Sequence, residues 1–559
     1  MPERAPAELT LRAIALGLGL GVLLAAANVY AGLKLGFVDV GTTTVVLVGF
    51  AVLGHGRRPL TPQEANVAQV AGSSAGAMAV TAGLIGPIPA LALTGHPVSP
   101  AVIIVWATAL AGFGTLVAIP FRDQLIGGRG LVFPSARAAG ELIRSLFVAG
   151  GSERGAVRLL AVAALAAAAL TVARDALDLI PGGWMLPLAI AGIPAAQLSI
   201  GVAASPLLVG VGLLVGARVG LSMLLGAAIA WLGVAPVLVG RGLATAGYPS
   251  LVSWTLWPGA ALMVASSLTR LVLGRRELWR ASPGQAARLP AARRVLAAIA
   301  AVATALVLVA WAGFGIHPVL GAASVALAAA CSAAAMHATG ETDHTPAGPL
   351  GGLTQIALGA LGPGGTTVPL HGGGIVNGAA VHAAAMMNAW KSGDVVGGCS
   401  PARLIAAQLA GIVVGATAGV VAYWLVREAY GLGTALMPAP GALSWRATAL
   451  AVAGGTASMP AGAPLAALAG AIAGVALAIV DRRPRLARWA PSAVAIGVGF
   501  IEPASITITA AVAAIGFAAV AARAPTWHQR SAPALAAGLI VGEAFTGVVV
   551  AAILVARGA

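Results

Sequence analysis

The sequence predicts an all-α, polytopic integral membrane protein with about 14 to 16 transmembrane helices, some of them broken or re-entrant. Of its 559 residues, 59% are hydrophobic and only 9% are charged, and the mean hydropathy is +0.95. A water-soluble domain of this size needs more polar surface. Apolar stretches of roughly 20 residues, the length that crosses a bilayer, recur with short interruptions from residue 11 to residue 556. Lipid is therefore expected to be the main solvent.

The individual stretches differ in how clearly they are delimited. Residues 11–31 are predicted to be an uncleaved first helix rather than a signal peptide, because their end runs into NVYAGLKLGF (28–37). Three later stretches, 63–95, 130–150 and 489–523, are interrupted by Gly, Pro or a charge. These are the ones that could be broken or re-entrant.

The longest polar interval suggests a division into two related halves. It predicts a first transmembrane half at 1–273, a basic cytoplasmic connector at 274–293, and a second transmembrane half at 294–559. Both halves end in a small-residue segment with Pro and Ser followed by a Gly-spaced apolar helix, and Lys-x-Gly occurs once in each. Such echoes also arise by chance in a chain rich in Gly and Ala. A true duplication would place a substrate site at the interface of the repeats.

Charge and motif content argue against several other classes of protein. The formal charge of +15 lies in short loops between apolar runs, which is not the pattern of a nucleic-acid-binding surface. The two cysteines, Cys331 and Cys399, are too far apart in sequence to indicate a disulfide framework or a metal site. There is no HExxH, phosphate-binding loop or paired CxxC. We therefore expect no enzyme, no cofactor, no metal and no nucleic-acid partner.

Lysine is almost absent from the chain. Of 32 basic residues only two are lysines, Lys34 in NVYAGLKLGF and Lys391 in MMNAWKSGD (386–394), and both lie in or beside apolar segments. An ammonium is a compact, strongly hydrated charge that a guanidinium does not replace geometrically, which indicates a specific need for lysine. Alternatively, both side chains lie at helix ends and reach the membrane interface.

Carboxylates within or next to apolar segments form the second group of candidates. In hydrocarbon such a group must pair, face water or become protonated, and the last case makes it a proton carrier. Glu64 follows Thr61 with the spacing of a capping box, so it is also explained as part of a helix start. The whole group, with weaker support for the aspartates, is Glu64, Glu141, Glu502, Glu543, Asp39, Asp175, Asp178 and Asp394.

The segment GPGGTTVPLHGGGIVNGAAVHAAAMMNAWKSGD (362–394) is too rich in Gly and Pro at its start for an ordinary helix. Unwound backbone persists at membrane depth only where protein or a water-filled cavity solvates it. We therefore expect an unwound binding segment that leads into an apolar helix carrying Asn377, His382, Asn388 and Lys391. A long Gly-rich external loop would have a similar sequence.

Seven motifs in order resemble the oligopeptide transporter family, which includes fungal and plant peptide carriers, yellow stripe-like metal-chelate carriers and many prokaryotic members. The resemblance runs through most of the chain. The motifs are NVYAGLKLGF (28–37), EANVAQVAGSSAG (64–76), FPSARAAGELI (133–143), ASPLLVGVGLLVGARVG (204–220), TDHTPAGPLGGLTQ (342–355), MMNAWKSG (386–393) with SPARLIAAQLAGIVVGA (400–416), and GLIVGEAF (538–545).

This resemblance implies about sixteen crossings in two related halves, alternating access, and symport driven by protons. It assigns family motif positions to Tyr30, Lys34, Glu141, Lys391, Gly393 and Glu543. The chain departs from the family pattern at Ser135, where members commonly carry Glu, and at Ala389 and Trp390, where they commonly carry Asp.

The substrate class implied is a small peptide. A peptide zwitterion needs one carboxylate, one cation and several amide or hydroxyl partners. We expect proton exchange at Glu141 and Glu543, and substrate binding by Tyr30, Lys34, Glu64, Gln69, Asn377, Asn388 and Lys391. The expected location is the plasma membrane of a prokaryote, the inner membrane, with a homo-oligomer left open. Alternatives are a carrier of metal chelates or siderophore-like compounds and, less favoured, a channel or a membrane-embedded enzyme.

Overall fold

The computed structural model describes residues 8–36, 38, 45–46, 49, 59–128, 131–147, 154–273, 290–342, 345–361, 365–487 and 489–557. Their backbone is overwhelmingly helical, which confirms the predicted all-α class. The α-helices are α1 (Leu11–Leu35), α2 (Pro62–Thr81), α3 (Pro87–Leu93), α4 (Pro100–Ala118), α5 (Pro134–Phe147), α6 (Arg154–Asp175), α7 (Pro206–Ala227), α8 (Ala235–Gly240), α9 (Tyr248–Leu273), α10 (Pro290–Phe314), α11 (Pro318–Thr342), α12 (Ala347–Leu361), α13 (Thr367–Val396), α14 (Pro401–Tyr430), α15 (Pro440–Gly454), α16 (Ala463–Asp481), α17 (Pro484–Ala487), α18 (Ala493–Ile501), α19 (Ala504–Arg523) and α20 (Pro525–Ala556).

Eleven helical spans of the described chain are long and apolar enough to cross a membrane, so the protein is a multi-pass membrane protein. Two further helices, α2 and α13, have 20 and 30 residues but are less apolar and lie deep in the bundle. The predicted total of crossings stays a prediction. The eleven spans are Leu11–Leu35, Pro100–Phe121, Gly155–Asp175, Pro206–Gly240, Tyr248–Arg270, Arg293–Phe314, Pro318–Gly340, Pro401–Tyr430, Ala463–Asp481, Ala504–Arg523 and Ser531–Ala556.

Helices from the two predicted halves interleave in a single bundle. Helix α7 packs along α19 and α20, α6 packs along α20, and α9 packs along α16. Helix α1 packs between α2, α14 and α20. Most of the predicted connector, residues 274–289, lies outside the described residues, so the division at 274–293 stays a prediction.

Two of the three stretches that could be broken, 63–95 and 489–523, contain a break. Helix α2 ends at Thr81 and a five-residue turn leads into the short helix α3. In the stretch 130–150, helix α5 is continuous over its 14 residues and about 21 Å long, which is less than the thickness of a bilayer core. A re-entrant course of this stretch stays a prediction. Helix α18 ends at Ile501, and α19 starts after Glu502 and Pro503.

The predicted unwound backbone at the start of residues 362–394 is wrong from Thr367 to Gly374, whereas the predicted helix that carries Asn377, His382, Asn388 and Lys391 is present. Thr367–Val396 is one continuous helix of 30 residues, with the Gly372–Gly374 run inside it. These glycines serve close helix packing rather than an unwound backbone: a Cβ on Gly373 would lie 2.8 Å from the carbonyl oxygen of Gly351, and one on Gly378 would lie 2.4 Å from that of Thr81. Residues 362–364 lie outside the described part of the chain.

Two small β-ladders between α6 and α7 were not predicted. Strand β1 (Gly183–Met185) pairs antiparallel with β4 (Gly201–Ala203), and β2 (Ala189–Ile190) pairs antiparallel with β3 (Ile193–Pro194). The segment ends by delivering Ser205 to the start of α7, where its hydroxyl caps the helix.

We expect Gly415→Ala to lower the free energy of unfolding by about 1–3 kcal/mol, because its new methyl group would overpack a helix crossing. A Cβ at Gly415 in α14 would lie 2.5 Å from both Cα and O of Ala75 in α2. The control is Gly516→Ala in α19, where a Cβ meets nothing within 4 Å. Thermal unfolding in detergent measures both, and an equal midpoint for the two variants would contradict the packing role of Gly415.

Candidate functional site

Four helices bring a buried group of charged and hydroxyl side chains together inside the bundle. We call Tyr30, Lys34, Arg174, Ser205 and Glu543 the Lys34–Glu543 cluster. The Nζ of Lys34 lies 2.8 Å from Oε1 of Glu543, and Nη1 of Arg174 lies 3.2 Å from the same oxygen. Glu543 has no exposed surface. Ionisable groups inside a lipid-spanning bundle are expensive and typically mark ion or substrate pathways.

The local sequence explains how each side chain reaches the cluster. Tyr30 and Lys34 are one helical turn apart near the end of α1, so they share a face, and Lys34 donates to the Tyr30 hydroxyl at 3.3 Å. Arg174 lies in the last turn of α6. Ser205 is the N-cap of α7, and Glu543 lies in the middle of α20.

Glu543 is held by donors from three other helices. The Ser205 hydroxyl lies 2.9 and 2.8 Å from its two carboxyl oxygens, and the backbone N–H of Leu207 donates to Oε2 at 2.8 Å. This places a carboxylate at the N-terminus of α7, where unpaired backbone N–H groups favour negative charge. With Lys34 and Arg174 also bound, the ionised form is strongly stabilised.

Charges in and beside the cluster balance. Arg174 forms a two-pronged contact with Asp175, with Nε at 2.5 Å from Oδ1 and Nη2 at 2.6 Å from Oδ2, and it donates to the carbonyl oxygen of Ala204. Two cations, Lys34 and Arg174, therefore face two carboxylates, Asp175 and Glu543. An unbalanced charge buried among helices is unfavourable. An ion pair in the cluster can therefore open only when another charged group replaces the partner that is lost.

An aromatic wall closes one side of the cluster. The rings of Tyr30 and Tyr430 meet edge to face with centroids 6.2 Å apart, and the Tyr430 hydroxyl donates to the carbonyl oxygen of Gly547 at 3.2 Å. The Lys34 ammonium lies 5.2 Å from the centroid of the Tyr30 ring, within cation–π range. A Cβ on Gly547 would lie 2.4 Å from that ring, so glycine is needed there.

The predicted amide ligands lie elsewhere, along α2 and α13. Gln69 donates to Ser73 at 3.0 Å, while its own Oε1 is buried without a partner among the described residues. Asn377 donates to the carbonyl oxygen of Val80 at 3.3 Å. The Oδ1 of Asn388 is also buried without a partner in the described chain. Unsatisfied amide oxygens of this kind are able to accept a donor from a ligand.

Lys391 and Glu64 lie at the opposite end of the bundle from Lys34. Glu64 forms the capping box with Thr61, as the sequence suggested, and binds Arg12. Ser392, next to Lys391, donates to Asn66 at 2.9 Å, which sets Lys391 near the same end. Arg12 and Lys34 are about 33 Å apart along α1. The predicted substrate-binding residues therefore do not form one site around a single short peptide.

Glu141 lies away from the cluster on the exposed face of α5. Its side chain is 58% exposed and pairs with Arg137 one helical turn earlier at 2.8 Å. The structure does not bring it together with Glu543, so its predicted share in proton exchange stays a prediction without a structural link to the Lys34–Glu543 cluster.

Sequence reasoning missed three members of the site and its wall: Arg174, Ser205 and Tyr430. Two of them carried a usable signal. Arg174 with Asp175 is a charged pair at the end of an apolar span, and Ser205 before Pro206 has the pattern of a helix start. Tyr430 has no such signal, because its contact with Tyr30 arises only from packing of α14 near α1.

Known proteins share sequence similarity with this chain. The family model described as "OPT oligopeptide transporter protein" matches residues 8–278 and 287–554. A curated yeast protein, "Putative oligopeptide transporter YGL114W" of Saccharomyces cerevisiae, is 30% identical over 158 residues, which are 25% of this chain and 22% of that protein. The aligned part thus spans about a fifth of the yeast protein. With nearly the whole length matched by the family model, the chain belongs to the OPT oligopeptide transporter family.

Proposed function

We propose that this protein imports small peptides across the plasma membrane of a prokaryote by symport with protons. Membership of a transporter family rather than an enzyme family sets the class. The observation that carries the finer proposal is the Lys34–Glu543 cluster, in which cations and carboxylates from separate helices meet without solvent exposure of Glu543.

A peptide carboxylate binds in this cluster by replacing Glu543 as the partner of Lys34. The Lys34 ammonium has one carboxylate partner in the described chain, Glu543 at 2.8 Å, and a substrate carboxylate that takes its place leaves Glu543 with one donor fewer. Glu543 can then accept a proton, which keeps the net charge of the cluster unchanged. Binding of the anionic end of the substrate and uptake of a proton are thereby favourable together and unfavourable singly, which is the thermodynamic requirement for symport.

The test is uptake of a mixed short-peptide pool into proteoliposomes with and without an inward proton gradient, read by mass spectrometry. Saturable accumulation that depends on the gradient is the expected result. Absence of accumulation beside a working control carrier would contradict the peptide assignment and direct the same assay to metal chelates. Uptake that neither saturates nor responds to pH would indicate a channel.

Two lysine variants test which end of the bundle binds the substrate carboxylate. Lys34→Ala is expected to abolish saturable uptake, because it removes the ammonium that meets both Glu543 and the substrate carboxylate. Lys391→Ala, made at the only other lysine, is the matched comparison. Both variants are first checked for monodisperse elution in detergent. Loss of uptake in Lys391→Ala alone would place carboxylate recognition at the Glu64 end and overturn the role of Lys34.

A further inference from the structure

The strongest unexplained feature of the bundle is Glu502, which lies at a break between two helices. Helix α18 ends at Ile501, Glu502 is extended with φ −72° and ψ 146°, and α19 starts after Pro503. Proline lacks an N–H and disfavours a helical residue before it, so the sequence itself makes the break. Glu502 is nonetheless fully buried, with no exposed surface.

Neither carboxyl oxygen of Glu502 has a hydrogen-bond partner within the described chain. An ionised carboxylate buried without a donor or counter-ion costs several kcal/mol, whereas the neutral acid costs far less. The hydroxyl of Thr507, one turn into α19, is also buried without a partner. The break therefore holds an acidic group and a hydroxyl, and no hydrogen bond from the described chain stabilises a negative charge on the acid.

Glu543 is the contrasting buried carboxyl of the same bundle. It accepts from the Lys34 ammonium at 2.8 Å, from Arg174, from the Ser205 hydroxyl and from the backbone N–H of Leu207, whereas Glu502 has no such donor within the described chain. The ionised form is therefore favoured at Glu543 and the neutral acid at Glu502.

None of the titratable groups on neighbouring helices donates a hydrogen bond to Glu502 within the described chain. Tyr248 of α9 donates its hydroxyl to the carbonyl oxygen of Ile501 at 3.1 Å. Arg218 of α7 pairs with Asp481 of α16 at 2.7 Å. Arg446 of α15, whose Nε is buried without a hydrogen-bond partner in the described chain, lines a cavity with Ser253 and Trp257 that Glu502 does not line. Arg523 lies at the far end of α19.

We propose that Glu502 is a proton-binding site of the transport cycle. In the present arrangement its carboxyl holds the proton, because burial without a hydrogen-bond donor disfavours the ionised form. Replacing Glu502 should therefore separate exchange of substrate from accumulation that is driven by a proton gradient.

This inference deepens the proposed proton symport and rests on it for its role in transport, but it is testable without any substrate. Infrared spectroscopy of the purified protein detects the C=O stretch of a protonated carboxylic acid. At neutral pH we expect this band in the unmodified protein, its loss in Glu502→Gln, and its retention in Glu141→Gln, whose carboxyl is exposed. The amide of Gln keeps the shape of the neutral acid, and elution and thermal unfolding check the fold.

A band that persists in Glu502→Gln, or that is absent from the unmodified protein, overturns the proposal. The measurement on the unmodified protein needs no variant, so it stays decisive if Glu502→Gln does not fold.

Uptake assays separate this inference from the proposed function. The expected band pattern without peptide uptake would support the proton site and refute the substrate. Gradient-driven peptide uptake with a band that persists in Glu502→Gln would support the peptide substrate and refute the proton site at Glu502. If both hold, Glu502→Gln should retain exchange of labelled for unlabelled peptide across the membrane but lose accumulation driven by the gradient.

Discussion

Replacing Glu543 by alanine is expected to lower the free energy of unfolding by about 3–5 kcal/mol and to abolish uptake, because it leaves buried cations without their counter-ion. Glu543 accepts from Lys34 and Arg174, from the Ser205 hydroxyl and from the backbone N–H of Leu207. Alanine removes every one of these acceptor contacts and keeps both positive charges in the interior.

Intrinsic fluorescence during thermal unfolding in detergent measures the effect. The matched control is Glu141→Ala, since Glu141 also pairs with an arginine but is 58% exposed, and such surface pairs contribute at most about 1 kcal/mol. A similar midpoint for the two alanine variants would show that the Lys34–Glu543 cluster does not stabilise the bundle.

Replacing Arg174 by lysine, a change that keeps the charge, is expected to cost about 2 kcal/mol or more of stability and to lower uptake strongly. The guanidinium reaches both oxygens of Asp175, the carbonyl oxygen of Ala204 and Glu543 at the same time. An ammonium is a single point donor and cannot reproduce that planar fork. Hydrogen bonds to charged groups contribute about 1.5–3 kcal/mol each, so the loss of one or two accounts for this magnitude.

The chain contains its own control for this substitution. Arg427 also pairs with the acidic residue that follows it, Glu428, but this pair is partly exposed at the end of α14. Arg427→Lys should leave the unfolding midpoint and uptake nearly unchanged. If Arg174→Lys behaves like Arg427→Lys, the geometry of the guanidinium has no special role and only its charge matters.

Several structural features were predictable from local pattern. The apolar runs predicted the helices, Thr61 with Glu64 predicted a capping box that the structure contains, and the Gly- and Pro-broken stretches at 63–95 and 489–523 contain the expected breaks. The failure at 362–394 has a physical reason. Glycines in a membrane helix either unwind it or let a neighbour approach closely, and only the position of that neighbour decides between the two.

The candidate site was predictable only in part. The scarcity of lysine pointed to Lys34, and the cost of a carboxylate in lipid pointed to Glu543 and Glu502. No local pattern joins Lys34 to Glu543, which are 509 residues apart, or separates Lys391 and Glu64 from them. Side-chain chemistry is a property of single residues, whereas proximity depends on the packing of α1 beside α20.

By itself, the sequence determined that the chain is helical and lipid-solvated and which residue types are costly in that solvent, because hydropathy, capping and desolvation act on short segments. Only the tertiary structure decided which of those costly groups meet. It gave Glu543 four donor groups and gave Glu502 none from the described residues, since hydrogen bonds between helices depend on how helices far apart in sequence pack against one another.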